Sequence, residues 1–135
     1  MANTKQEFPQ TVGPSKAWPS SLEKTLQITE AIRDADPGMP ITWALMFLNV
    51  AKYQDQKKEG LSIRDLSDIV GISYSSVAEI VKKMSSSSHR FPDAVGLLQV
   101  KTDALDERRK ILKLSSKGQA LLRKISLINS HADQM

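Results

Sequence analysis

The sequence predicts a mainly helical α+β fold that contains one helix-turn-helix and one two-stranded hairpin. Three observations lead to this fold class: two short apolar stripes at helical spacing on either side of Gly71, a change to a period of two after Gly96, and helical periodicity in the flanking segments. With 135 residues, the chain suits one domain with a modest core. We expect that domain to span residues 20–128, between an N-terminal arm (1–19) and a polar C-terminal tail (129–135).

Three prolines and many small polar residues set residues 1–19 apart from the rest of the chain. Such a composition cannot bury much apolar surface, so we expect a loose arm. Phe8 and Trp18 are the side chains large enough to hold parts of the arm against the body.

Two helices are predicted before the helix-turn-helix. Ser20 or Ser21 can cap the first, which the segment Asp36-Pro37-Gly38 ends. The second runs from about Ile41 to Lys57 and is apolar on two sides, so we expect it to be the most buried helix. A ligand pocket could use its Met and aromatic residues, but a core that needs filling explains them better. One side carries Trp43, Met46, Phe47, Val50 and Ala51, and the other carries Leu45 and Leu48.

The stretch from Leu61 to Met84 predicts two helices joined by a tight turn, and the rest of the chain is organised around it. Ser62 and Asp65, three residues apart, form an approximate capping box at the start of the first helix. Gly71 can take the left-handed conformation that ends this helix, and Ser73 can cap the next one. This spacing is typical of a helix-turn-helix.

The outward face of the second helix carries polar and cationic side chains at helical spacing. Serine and lysine suit base edges and phosphates, and the N-terminal end of a helix favours an anion. We therefore expect this helix to enter the major groove of DNA, with Lys82 and Lys83 at the phosphates of the DNA backbone. These residues alone leave open a generic helical hairpin in an all-α core. The residues expected at the DNA are Ser73, Tyr74, Ser75, Ser76, Glu79, Lys82 and Lys83.

A two-stranded hairpin is predicted after Gly96, where the periodicity changes from helical to two. Leu98 and Val100 point to one side, and the alternation resumes after a charged loop. The serine-rich segment from Ser85 to Asp93, which precedes the hairpin, is expected to be a surface loop.

A last helix follows the hairpin, and Ser115 or Ser116 can cap it. Its apolar stripe needs a partner, either within the chain or in a second copy. The stripe consists of Leu121, Leu122, Ile125 and Ile128.

The order of these elements is that of a winged helix-turn-helix, and three motifs sharpen the comparison. Gly96-Leu97-Leu98, Asp106-Glu107-Arg108 and Leu114-Ser115-Ser116-Lys117-Gly118 resemble the wing of the MarR family of bacterial and archaeal transcription regulators, written there roughly as GLI, D-x-R and L-T-x-K-G. The resemblance covers about residues 20–128. It implies a homodimeric regulator, acting as a repressor, that binds an inverted repeat in double-stranded DNA. It also implies a small-molecule effector, which no residue identifies.

Arg108, Arg109 and Lys110 bring three positive charges to the wing. Arginine suits a narrow minor groove because of its enhanced negative potential, so we expect these side chains to lie along a minor groove beside the recognition helix. Asp106 is expected to restrain Arg108 through a charge-assisted pair. The alternative is a solvated hairpin tip that binds nothing.

The net charge of +4 is compatible with a polyanionic partner, and its distribution is more informative. Residues 1–60 hold seven Lys or Arg against seven Asp or Glu, whereas residues 96–124 hold eight against three. The positive excess therefore follows the helix-turn-helix. The lack of cysteine, of a signal-peptide pattern and of an apolar run near the ~20 residues of a membrane span favours a cytoplasmic protein that inserts into no membrane.

Catalysis finds little support in the sequence. There is no glycine-rich nucleotide loop and no cysteine, and the two histidines, His89 and His131, fall in a predicted loop and tail. We expect no enzyme, no cofactor and no metal site. The alternative to a DNA-binding regulator is a winged-helix module that binds another protein and no specific DNA.

Overall fold

Five helices and three short strands make up the described part of the chain. The structure is a computed structural model, and it describes residues 17–54, 56, 60–85 and 96–133, with side chains as far as residue 130. The predicted winged helix-turn-helix is confirmed. Its elements are α1 (Ser20–Ala35), α2 (Ile41–Gln54), β1 (Leu61–Ser62), α3 (Ile63–Val70), α4 (Tyr74–Met84), β2 (Leu98–Thr102), β3 (Lys110–Leu114) and α5 (Ser116–Asp133).

Helix α1 begins without a side-chain cap, so the predicted cap by Ser20 or Ser21 is wrong. Pro19 occupies the N-cap position, and its carbonyl oxygen accepts the first helical bond from the amide of Leu22 at 3.0 Å. The indole of Trp18 donates a hydrogen bond of 2.9 Å to the Glu23 carboxylate, which ties the residues before α1 to its first turn. The arm before residue 17 lies outside the described residues.

Helix α2 supplies the centre of the core through Met46, Phe47 and Val50, which are fully buried. Its other side, with Leu45 and Leu48, is exposed, so only one of the two apolar sides accounts for the burial expected of this helix. Among the described residues, α3, β1 and β3 contact α2, and they leave this side to solvent. The described part of the helix runs to Gln54, and the predicted end near Lys57 lies outside the described residues.

The helix-turn-helix follows the predicted local signals closely. Ser62 and Asp65 form a complete capping box at the start of α3. Gly71 ends α3 in the left-handed conformation, with φ of 76°. The hydroxyl of Ser67 donates a 2.6 Å bond to the carbonyl of Ile72 and so holds the turn against α3. The buried residues of the two helices are Ile63, Leu66, Val77, Val81 and Met84.

The sheet has three antiparallel strands in the order β1-β3-β2, whereas the sequence predicts only the two-stranded hairpin. Leu98 pairs with Leu114 in the hairpin, and Leu61 of the additional strand pairs with Leu112. Strand β1 has only two residues, too few for any periodicity to mark it. Because β1 leads directly into α3, it ties the helix-turn-helix to the wing.

Helix α5 begins as predicted, with Ser115 as its cap: the Ser115 hydroxyl oxygen accepts a 3.1 Å bond from the amide of Gly118. The same hydroxyl donates to the carbonyl of Gly96, at the start of the wing. The helix continues to Asp133, past residue 128, where the sequence predicts a polar tail. It packs against α1, which covers much of its apolar stripe. No helix that the structure describes has the length and apolar character to cross a bilayer.

Candidate nucleic-acid interface

The outer face of α4 is open to solvent along its whole length. The two lysines of its last turn, Lys82 and Lys83, are exposed, as are Ser75, Ser76 and Glu79. The opposite side of the helix is buried in the core. The residues predicted to contact DNA on this helix therefore share a surface that another molecule can reach.

Three serine hydroxyls cluster at the N-terminal end of α4. The Ser73 hydroxyl oxygen accepts a 3.2 Å bond from the amide of Ser76 and lies 2.9 Å from the Ser76 hydroxyl and 3.3 Å from that of Ser75. Ser73 is thus committed to capping the helix. Ser75 and Ser76 retain hydrogen-bonding capacity, because a hydroxyl can accept two bonds and donate one.

Arg108 is the wing cation that projects most freely, with a side chain that is 96% exposed. Its backbone amide donates a 3.0 Å bond to the Asp106 carboxylate, and its Nε atom lies 3.7 Å from the same oxygen. Asp106 therefore orients Arg108 through the backbone more than through the guanidinium group. The predicted pair is present at long distance.

Arg109 turns inward, unlike Arg108. Its Nη1 atom donates a 3.2 Å bond to the Asp103 carboxylate, and Nη2 lies 3.7 Å from the Asp65 carboxylate of the α3 capping box. About a third of the side chain is exposed. These contacts join the wing to the start of α3. Next to it, the Lys110 ammonium donates a 3.1 Å bond to the Thr102 hydroxyl across the hairpin.

The environment of Asp103 favours its ionised form. The amide of Leu105 donates a 2.9 Å bond to this carboxylate, and that bond together with the Arg109 guanidinium lowers the pKa of Asp103 below its usual value. The pair with Arg109 is therefore charged throughout the neutral pH range.

A polar groove of about 360 Å³ separates the helix-turn-helix from the wing. The guanidinium group of Arg64, in the first turn of α3, lies over the ring of Tyr74 at 5.5 Å from its centroid. Sequence reasoning missed Arg64, because one cation among the apolar repeats of α3 has no periodicity of its own. It found Asp65 only as a cap, because the contact with Arg109 joins distant parts of the chain. The groove is lined by Ser62, Ile63, Arg64, Asp65, Tyr74, Asp106, Arg108, Arg109 and Lys110.

An exposed recognition helix, a hairpin wing and a groove between them define a winged helix-turn-helix of the type that the MarR-like motifs predict. Among solved structures, the chain resembles the Staphylococcus aureus MepR–DNA complex, with a TM-score of 0.63 and 18% identity over 84% of this chain and 82% of that one. It also resembles S. aureus MepR bound to ethidium bromide, with a TM-score of 0.58 and 18% identity over 84% of this chain and 72% of that one.

The haem sensor protein PefR from Streptococcus agalactiae, in complex with haem, is similar as well. Its TM-score is 0.55 and its identity 21%, over 82% of this chain and 67% of that one. No protein-family model matches the sequence, and no curated protein matches it. At 18–21% identity the likeness establishes the fold. The function has to be inferred from the residues of this chain.

Proposed function

We propose that this protein is a sequence-specific, double-stranded DNA-binding transcription regulator. One observation carries the proposal: Tyr74 at the start of α4 and Arg108 on the wing line the same groove, so the recognition helix and the wing can grip one duplex together. The MepR–DNA complex supports it, because a protein of the same fold binds DNA there. A cytoplasmic location accords with this role.

In the proposed complex, α4 lies in the major groove with Ser75 and Ser76 near the base edges. Lys82 and Lys83 neutralise phosphates, and the side chain of Arg108 enters the neighbouring minor groove. Arg109 has a different task, because its contacts with Asp103 and Asp65 hold the wing at a fixed distance from α3.

A homodimer is the proposed assembly, and an exposed apolar surface on α1 and α2 supports it. We define the α1–α2 apolar face as the exposed residues Leu22, Leu26, Ile41, Leu45 and Leu48. Apolar side chains grouped in this way often mark a protein interface. A two-fold dimer would present two recognition helices at about 34–36 Å, one turn of DNA, and so bind an inverted repeat. Occupying a promoter in this way would repress it.

A small, apolar effector is the proposed ligand of the groove between α1 and α2. This groove has a volume of about 570 Å³, and its mainly apolar lining includes Ile28, Ile32 and Met39. It shares Ile41, Leu45 and Leu48 with the α1–α2 apolar face, so the ligand would lie at the edge of the proposed dimer interface. MepR bound to ethidium bromide and PefR in complex with haem are structures of this fold with small aromatic or macrocyclic ligands. The lining residues do not specify one compound.

Selection of bound fragments from random double-stranded DNA at physiological salt tests the proposed function. We expect a palindromic consensus, because a two-fold dimer presents the same contacts to both half-sites. An interaction module would give no enriched sequence and no salt-sensitive retention of DNA. Retention of DNA without any consensus would contradict sequence specificity.

Replacing Arg108 with alanine should weaken binding to every duplex and reduce its dependence on salt. A cation that leaves the duplex no longer displaces a counterion, so the magnitude of the slope of log K against log salt should fall by up to about 0.9. The matched control is Arg33→Ala, which removes an exposed arginine from α1. Fluorescence anisotropy with a labelled duplex measures both slopes. Equal slopes for Arg108→Ala and wild type would exclude the wing from the contact.

A further inference from the structure

Arg64 and Arg108 stand on opposite walls of the groove between the helix-turn-helix and the wing. Arg64 belongs to α3, the first helix of the motif, which in this fold crosses the DNA backbone. Its side chain is exposed, and no described carboxylate lies within ion-pair distance of its guanidinium group. The groove thus holds an arginine whose charge the described chain leaves available.

The neighbouring carboxylates are already engaged. The Asp65 carboxylate accepts a hydrogen bond from the amide of Ser62 in the capping box and pairs with Arg109. The Asp106 carboxylate accepts a hydrogen bond from the amide of Arg108. Four cationic side chains line the groove against these two carboxylates, so its net charge is positive. A groove with a positive net charge attracts an anion.

Two contacts fix the geometry of the groove. The ring of Tyr74 supports the guanidinium group of Arg64 by a cation–π interaction, which limits the directions that this side chain can take. The pairs that Arg109 forms with Asp65 and Asp103 hold the wing wall against the α3 wall. A pre-organised cation loses less conformational freedom on binding than a free one.

We propose that this groove seats a phosphate of the DNA backbone and that Arg64, supported by Tyr74, is a phosphate-binding residue of the interface. The assignment rests on the proposed function. It adds a third contact with DNA, which lies between the contact made by the recognition helix and the contact made by Arg108. A DNA strand that passes between the major groove holding α4 and the minor groove holding the wing must cross this position, since the backbone separates the two grooves. Arginine can hold a phosphate with two parallel hydrogen bonds.

The test compares Arg64→Gln with Arg33→Gln, a matched exchange on α1, in binding to a mixed-sequence duplex across a salt series. We expect Arg64→Gln to bind about tenfold more weakly at low salt and to lower the salt slope by about one unit, because one phosphate contact is lost. Arg33→Gln should match the wild type in both. Thermal unfolding of each variant confirms that an exposed substitution has left the fold intact.

Tyr74 variants test the support of Arg64 independently. Tyr74→Phe keeps the ring, whereas Tyr74→Leu removes it. We expect Tyr74→Leu to weaken binding strongly in the wild-type background and much less in the Arg64→Gln background, since the ring then has no guanidinium group to orient. Full additivity of Arg64→Gln and Tyr74→Leu would contradict the coupling.

The outcomes separate this inference from the proposed function. If the wild type itself shows no salt-sensitive binding to DNA, the proposed function is wrong, and so is the phosphate contact of Arg64. If the wild type binds DNA and Arg64→Gln has the affinity and salt slope of Arg33→Gln, the proposed function stands, and the assignment of Arg64 as a phosphate-binding residue is wrong. A smaller salt slope for Arg64→Gln, together with an unchanged slope for Arg33→Gln, supports the phosphate contact of Arg64.

Discussion

Leu45→Asp is expected to convert the proposed dimer into a monomer and to weaken binding to the selected palindrome by about 10²–10⁴-fold. Leu45 lies in the α1–α2 apolar face with nearly half of its surface exposed, so the folded protomer can accept the change. In a dimer that buries this face, the same carboxylate would lose its water without gaining a partner. The two half-sites would then be bound separately, without the gain from linkage.

Light scattering coupled to size-exclusion chromatography measures the mass, and anisotropy measures the affinity for the full palindrome and for one half-site. Leu105→Asp is the control for mass, because it makes the same chemical change at a wing residue that is 97% exposed. Leu45→Asp should bind a single half-site about as well as the wild type does. A variant that keeps the mass of a dimer would show that another surface forms the interface.

The helix-turn-helix could be predicted from the sequence because its signals are local. The capping box of Ser62 and Asp65 spans three residues, and the left-handed Gly71 needs no distant partner. The cap at Ser115 follows the same logic. Each of these signals depends on backbone groups within one turn of the residue that carries it, so a single sequence suffices to find it.

The features that the sequence did not predict depend on contacts between distant segments. Strand β1 exists because Leu61 pairs with Leu112, and nothing near Leu61 marks that pairing. Arg109 appears in the sequence as one of three similar cations on the wing, yet its contact with Asp65 gives it a structural task that Arg108 does not share. The exposed side of α2 could not be predicted for a related reason: an apolar stripe predicts burial without telling which surface covers it.

Gly118→Ala is expected to destabilise the protein by about 1–3 kcal/mol, although alanine is the better helix former by about 1 kcal/mol. The reason is a close approach of backbones at the root of the wing. A Cβ atom on residue 118 would overlap the carbonyl oxygen of Leu97 and lie 3.2 Å from the Cβ atom of Leu114. Leu97 precedes β2 and Leu114 ends β3, so both strands of the wing meet α5 at this glycine.

Relief of that overlap requires α5 to move away from the hairpin, and the movement would lengthen the 3.0 Å bond from the amide of Ser115 to the carbonyl of Leu97. Urea unfolding measures the loss of stability, with Ser116→Ala, an exposed substitution two residues earlier, expected to stay within about 0.5 kcal/mol of the wild type. Hydrogen exchange should quicken in β2 and β3 of Gly118→Ala before it does so in α3. If Gly118→Ala were as stable as the wild type, α5 would not be packed directly on the wing, and the glycine of the Leu114–Gly118 motif would need another explanation.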